Sequence, residues 1–283
     1  MKLPPLNALV AQTETLTSRQ IILRVVPQDW QLPRFVAGQY VVLGLPPTAP
    51  RCAFSLSERE FAQGSHTDAL PETKSDREQL IRRAYSIASS SHAGEYMDFY
   101  ISLVSDGRLT PRLFALKVGD PLWLSSHPVG VFTLGEVPRE KHIILIATGT
   151  GLAPYMSMLS SELDCGSTRR FAVLHGARHS WDLGYRAELE NLQHLCLNFT
   201  YLPIISQADK EPFAWHGPTG RVQQLWQTNP LSAVWSFTPT PDNCDVFLCG
   251  APGMIDEMLG LLRQDGFTEH RHGAAGEVHI ERY

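Results

Sequence analysis

Cysteine is scarce in this sequence, and none of it is spaced for metal binding. Cys52, Cys165, Cys196, Cys244 and Cys249 are five residues in 283, odd in number and without a CxxC pair. That argues against a disulfide framework, a zinc site and an iron–sulfur cluster, and makes reduced thiols the expectation. Long apolar runs are missing as well. No stretch approaches the roughly 18 uninterrupted apolar residues of a membrane span, and "MKLPPLNALVAQTE" has no signal-peptide core, so the expected location is the cytoplasm. A surplus of basic charge is absent too: 24 Lys and Arg face 29 Asp and Glu, a net charge of −5, which excludes a generally basic nucleic-acid binder. The charge is uneven, with 13 basic and 13 acidic residues in 1–137 against 11 and 16 in the remainder. The neutral first half, with Arg82, Arg83, Arg108 and Arg112, is able to present a local positive face to an acidic partner. Low-complexity tracts and internal repeats are lacking.

What remains is an ordinary globular composition, 43% apolar and 19% charged, in a chain long enough for two domains of roughly 100–150 residues each. Two rhythms divide it. Residues 1–137 alternate short β-rich runs with turn signals, "RQIILRVVP", "GQYVVLGLP", "AYSIASS", "YMDFYISLV" and "DPLWLSS". With one helical segment at "TPRLFALKVG", this predicts an antiparallel β-barrel. From 138 to 283 apolar strands alternate with amphipathic helices: "KHIILIAT", "RFAVLHGA", "NFTYLPIIS" and "DVFLCG" interleave with "APYMSMLSSELD", "YRAELENLQHL", "GRVQQLWQ" and "GMIDEMLGLLRQD". That rhythm predicts an α/β doubly wound domain around a parallel sheet. The polar segment of about 48–79 reads as an excursion from the barrel, expected to be a solvent-facing flap.

Two glycine turns carry the first chemical signal. Gly149, Thr150 and Gly151 lie between an apolar strand and a helix opened by Pro154, where free N–H groups and the helix dipole suit a pyrophosphate. A second turn, "LCGAPGM", ends the last apolar strand and opens another helix. Ligands bind at the carboxyl ends of strands in open α/β sheets, and both turns belong there. Taken alone, either is also an ordinary tight turn. In "RRAYSIASS" the period of two puts Arg83 and Tyr85 on one face and Ala84 and Ser86 on the other, a cation and a ring suited to a phosphate and a flat heterocycle. A surface arginine beside a barrel-core tyrosine explains that pattern equally. "SDGRLTPRLFALKVGD" adds a turn at Gly107, a charge at Arg108 and Thr110 as a plausible N-cap, a second anion-binding end.

These motifs, "RAYS", "DGRLTPRL", "ATGTGLAP", "HGAR", "DLGY", "TGR", "LCGAPGM" and the final "ERY", occur in one order. In that order the chain resembles the plant-type ferredoxin–NADP(H) reductases, specifically the bacterial ferredoxin/flavodoxin reductases ending in an aromatic residue. The resemblance implies an FAD-binding barrel followed by an NADP(H) domain. It implies that Arg83 binds the FAD pyrophosphate, with Ala84 in the same FAD site, that Tyr85 stacks on the isoalloxazine and that Ser86 reaches flavin N5. Tyr100, Ile101, Ser102, Leu103, Arg108, Leu109, Thr110, Thr150 and Tyr283 would complete the FAD site. Gly149, Thr150, Gly151, Arg178, Arg221, Gly250 and Met254 would hold NADP(H). Cys249 matches the family's cysteine near the nicotinamide, while Glu281 and Tyr283 match its terminal carboxylate and aromatic, Tyr283 covering the flavin face opposite Tyr85. Ser86, Cys249, Glu281 and Tyr283 are thus the expected catalytic set, without a metal.

The expected activity is hydride transfer from NADPH to flavin N5 and single-electron delivery to ferredoxin or flavodoxin, by a monomer. Alternatives are the reductase component of an oxygenase, the electron-transfer subunit of a dihydroorotate dehydrogenase, and a non-catalytic flavin-binding subunit. The first generally carries an iron–sulfur domain and the second needs cluster cysteines, and the sequence has no cysteine cluster for either. Gln207 stands where relatives usually carry an arginine for the 2′-phosphate, so NADPH preference is expected to be weaker than usual, with Lys210 in reach to compensate. His175 and His179 show no metal spacing and are expected to serve packing or surface.

Overall fold

A hairpin leads the chain in the computed structural model, which describes residues 4–55, 79–271 and 273–282 and divides into two units, Met1–Val131 and Phe132–Tyr283. In the first unit, Ala8–Thr17 (β1) turns through Ser18 and Arg19 into Gln20–Pro27 (β2). The sequence reading missed β1, whose polar, threonine-rich outer half hides its alternation. In β2 the alternate residues Ile21, Leu23 and Val25 point inward, directly opposite Ile101, Phe99 and Met97 of Met97–Ser102 (β5), and all six are buried. On the outer face the same register sets Arg24 against Asp98, joined by two 2.8 Å hydrogen bonds.

Tyr40–Leu45 (β3), Ile81–Ser86 (β4) and Pro121–Leu124 (β6) complete an antiparallel sheet ordered β4-β3-β6-β1-β2-β5. Just after β4 the Ala88 N–H donates to the Asp98 carbonyl of β5 at 2.8 Å, bringing the two outer strands together and closing the sheet into a barrel, which leaves fewer open edges. A single helical turn, Thr110–Leu113 (α1), places Leu109 and Leu113 in the barrel core. Most of the polar excursion, residues 56–78, lies outside the described residues.

The second unit is a parallel sheet ordered β11-β10-β7-β8-β9. Its strands are His142–Thr148 (β7), Phe171–Ala177 (β8), Phe199–Ile205 (β9), Cys244–Gly250 (β10) and Val278–Arg282 (β11). They alternate with helices Ala153–Glu162 (α2), Arg186–Leu195 (α3), Val222–Thr228 (α4), Pro230–Trp235 (α5) and Pro252–Gln264 (α6). The five central residues of β7 are all buried, the pattern of a strand covered on both faces. β11 and α5 went unrecognised in the sequence because each is short and mixed in polarity. Phe132 belongs to this unit: its ring meets Phe247 edge-on at 5.2 Å between centroids and lies 6.0 Å from Tyr155.

The barrel and parallel-sheet architecture is the one expected. The cysteines are not: Cys165 and Cys196 form a disulfide, their Cα atoms 4.8 Å apart, while Cys52, Cys244 and Cys249 are free. Spacing did not reveal the pair because the loop after α2 and the end of α3 meet only in three dimensions. Among the described residues no helix is long and apolar enough to cross a membrane, and no cluster of side chains is arranged to hold a metal ion.

Candidate functional site

In the second unit the sheet brings the two glycine turns together. β7 and β10 are neighbours although about a hundred residues apart, with Ala147 opposite Cys249, and the order in which the chain adds parallel strands reverses there, β8 lying on one side of β7 and β10 on the other. This is the switch point of an open α/β sheet. The turns interlock: a Cβ at Gly151 would collide with the Cys249 carbonyl and lie 2.8 Å from Gly250 N. Gly250 is left-handed at φ +147°, and a side chain there would strike Thr148. Thr148 Oγ1 accepts a 3.0 Å hydrogen bond from Ala251 N–H, tying one turn to the other, and the Tyr155 hydroxyl donates to the Ile146 and Phe247 carbonyls on the same two strands. Thr148 and Tyr155 went unassigned in the sequence reading, although both stand in the "ATGTGLAPY" run. Gly149, at φ +56°, has open space where its side chain would be, so the Gly149–Leu152 turn ahead of α2 is uncovered on that side.

Beside these turns β11 adds the third component. Cys249 faces Glu281 in parallel register, and its thiol points to Glu281 Oε2 at 3.7 Å. Burial first, and the Glu281 carboxylate second, push the Cys249 thiol well above its ordinary range. Cys249 is therefore a neutral donor toward Glu281, not a thiolate nucleophile. Met254 is buried in the first turn of α6 behind Gly250. Tyr283 lies outside the described residues.

The loops following β8 and β9 carry the remaining candidates. Gln207 N–H donates to the Arg178 carbonyl at 2.9 Å, so those two positions are adjacent, and Lys210 lies exposed in the 3-10 turn that follows. Glu211 ties the loop after β9 to the loop after β8, accepting from Ser180 N–H at 2.8 Å and from its hydroxyl. Arg221 is exposed and reaches Glu257 at 3.5 Å, a carboxylate the sequence reading did not connect with it. His179 lies 3.0 Å from Asp182 and stacks on Trp181. His175 is fully buried against the Tyr201 hydroxyl at 3.1 Å, and burial pushes its imidazole down to about 4. Both serve packing, as expected.

In the first unit Tyr85 pairs with Val41 and Arg83 with Leu43, while Ser86 pairs with Tyr40 and Ala84 with Val42. Arg83 and Tyr85 therefore share the face of the buried Val41 and Leu43, and Ser86 and Ala84 share the other. β4 is an outer strand of its sheet, so Arg83 and Ala84 remain exposed, and the Arg83 guanidinium donates to the Arg82 carbonyl at 2.8 Å. Tyr85 packs partly into the barrel core, and burial pushes its phenol up against the opposing effect of Arg83. Tyr100, Ile101 and Leu103 are buried and Ser102 is half-buried. Thr110 is not an N-cap. Leu109 holds that position, and the Thr110 hydroxyl is bonded to both the N–H and the carbonyl of Val104. One helical turn also makes no anion-binding end. The turn is fixed by arginines: Arg51 donates to the Ser105 and Gly107 carbonyls, and the buried Arg112 to those of Arg108 and Pro47. Arg108 is half-exposed beside them.

Known proteins share both the sequence and this architecture. A family profile described as an oxidoreductase NAD-binding domain matches residues 145–259, the stretch from β7 through most of α6. The flavodoxin/ferredoxin–NADP reductase of Escherichia coli (strain K12) is 32% identical over 195 residues, covering 69% of this chain and 76% of that protein. The corresponding reductase of Buchnera aphidicola subsp. Baizongia pistaciae is 29% identical, covering 79% and 88%. Among solved structures, a ferredoxin NADP⁺ reductase from Neisseria gonorrhoeae with bound FAD and NADP superposes with a TM-score of 0.76 over 97% of both chains at 21% identity, a likeness of fold. With the interlocked glycine turns at the switch point and the ordered motifs, this sequence identity places the chain in the ferredoxin/flavodoxin–NADP reductase family.

Proposed function

We infer that the protein is an FAD-dependent oxidoreductase that takes hydride from NADPH and delivers electrons singly to ferredoxin or flavodoxin. The first unit is the FAD domain and the second the NADP(H) domain. The observation that carries this reading is the contact of Gly151 with the Cys249–Gly250 backbone. That contact sets the two glycine turns side by side at the carboxyl ends of β7 and β10, where the N–H groups of a βα turn suit a pyrophosphate.

The residues present suit the cofactors. Arg83, exposed on β4, supplies charge for the flavin nucleotide's pyrophosphate, Tyr85 a fixed ring for the isoalloxazine, and Ser86 a hydroxyl for N5. Gly149, Thr150 and Gly151 offer N–H groups to the NADP(H) pyrophosphate, with Gly250 and Met254 flanking, and Arg178 and Arg221 supply cations for the 2′-phosphate. When bound, the flavin accepts hydride and releases single electrons, chemistry no side chain provides. The protein's part is placement and proton control. Cys249, buried and held neutral, donates its S–H to Glu281, which fixes the carboxylate. Orientation of this kind contributes up to roughly 7–11 kcal/mol of barrier reduction.

An absorbance spectrum of the purified protein followed by stopped-flow reduction tests the reading. A bound flavin bleached faster by NADPH than by NADH is expected. Colourless protein that does not take up FAD, or flavin unreactive toward both coenzymes, refutes it.

A further inference from the structure

We propose that Cys165 and Cys196 form a thiol–disulfide exchange site, accepting electrons from an external dithiol at the Cys165 sulfur. The inference is independent of the cofactor reading. Three features distinguish this bridge from a structural staple. First, it stands alone among the described residues, with three other cysteines left as thiols, whereas small domains that depend on disulfides are densely cross-linked. Second, its two ends differ. Cys165 is exposed in the loop between α2 and β8, while Cys196 is 1% exposed at the C-terminus of α3. Attack therefore has one accessible sulfur. Flanking the buried cysteine, Leu195 and Leu197 are 79% and 98% exposed, an apolar rim beside the bridge.

Third, the two segments are clasped without the bridge. The Asn198 side-chain amide donates to the Asp164 carbonyl at 2.8 Å and to the Arg169 carbonyl at 2.9 Å, gripping both ends of the Cys165 loop from two residues beyond Cys196. Phe171 N–H donates to the Asn198 carbonyl at 2.9 Å, where β8 and β9 begin to pair. After reduction the thiols are thus held near each other, which makes reclosure intramolecular and fast.

The exchange is balanced. A thiolate of the dithiol attacks Cys165 Sγ, the Cys165–Cys196 bond breaks, and Cys196 leaves with the electron pair and takes a proton. The second thiol of the reductant then attacks its own sulfur in the mixed disulfide and releases Cys165. Two electrons and two protons pass to the protein, and the dithiol becomes a disulfide. An external disulfide reverses the sequence, starting at Cys165.

The test equilibrates native protein with mixtures of reduced and oxidised dithiothreitol, traps thiols with iodoacetamide and locates them by peptide mass spectrometry. Cys165 and Cys196 should become alkylated together without denaturant, in one two-electron transition that oxidised dithiothreitol reverses. In short alkylation pulses on the reduced protein, Cys165 should react at least tenfold faster than Cys196. Cys196→Ser treated with oxidised glutathione should carry glutathione on Cys165; should that variant fail to fold, the wild-type titration decides alone. Alkylation of either residue only in denaturant, alkylation of both before any reductant is added, or failure to reclose overturns the proposal.

Discussion

Replacing Gly151 by alanine separates the geometry of the switch point from ordinary backbone effects. The backbone at Gly151 is not left-handed, so alanine meets no conformational penalty there, and the whole cost is collision. Its Cβ would stand 2.5 Å from the Cys249 carbonyl carbon and 2.8 Å from Gly250 N, where ordinary contact begins at 3.4 Å. The obstacle is main chain on both counts, and no rotamer relieves it. The turns after β7 and β10 must move apart by roughly 1 Å, a displacement that can cost about 10²-fold in rate when it misplaces reacting groups. The same overpacking costs about 1–3 kcal/mol of stability and weakens the Thr148–Ala251 hydrogen bond. Gly151→Ala should therefore lower kcat/KM for NADPH about a hundredfold with ferricyanide as acceptor, lower the urea midpoint and, on the proposed assignment of FAD to the first unit, keep its flavin. Gly253→Ala is the control, since nothing lies within 4 Å of its Cβ, and it should leave both quantities near wild type. Wild-type kcat/KM in Gly151→Ala would show that the contact between the turns does not shape the coenzyme site.

Coenzyme choice is tested at the β8 and β9 loops. Gln207→Arg should raise the NADPH-to-NADH ratio of kcat/KM, and Arg221→Ala should lower it, each by about tenfold if a charge-assisted contact of roughly 1.5 kcal/mol is gained or lost; an unchanged ratio in both places the 2′-phosphate elsewhere. Asp245 is buried between Lys141 at 3.1 Å and His279 at 2.9 Å, so Asp245→Ala strands both partners and should cost about 3–5 kcal/mol in urea denaturation; a loss below about 1 kcal/mol shows that water compensates them. His175 gives the pH prediction. Its folded value of about 4 lies below the unfolded 6.5, so its stabilising effect is complete above pH 6.5 and is lost as the unfolded chain takes up a proton between about pH 6.5 and pH 4, up to roughly 3 kcal/mol. His175→Gln should flatten the stability profile over that interval, and an equally steep profile in the variant assigns the acid sensitivity to other groups.

Most of the barrel strands and βα units were legible in the local sequence, because period-two alternation and continuous apolar runs are local consequences of facing one core layer or two. The sequence also determined the local chemistry of the glycine turns and the face shared by Arg83 and Tyr85, since neither depends on distant residues. It did not reveal β1 or β11, whose polar residues obscure any period, nor that Thr110 spends its hydroxyl on Val104 instead of capping α1. Tertiary structure alone decided what stands beside what. Strand order set Gly151 against Cys249 and Cys249 against Glu281, contacts between residues 98 and 32 positions apart that no spacing rule anticipates. The same folding joined Cys165 to Cys196 across 31 positions, in a chain whose cysteine pattern pointed to free thiols. Local rules act through backbone geometry over a few residues, whereas adjacency in a parallel sheet follows from how crossovers stack the strands, and there the site was made.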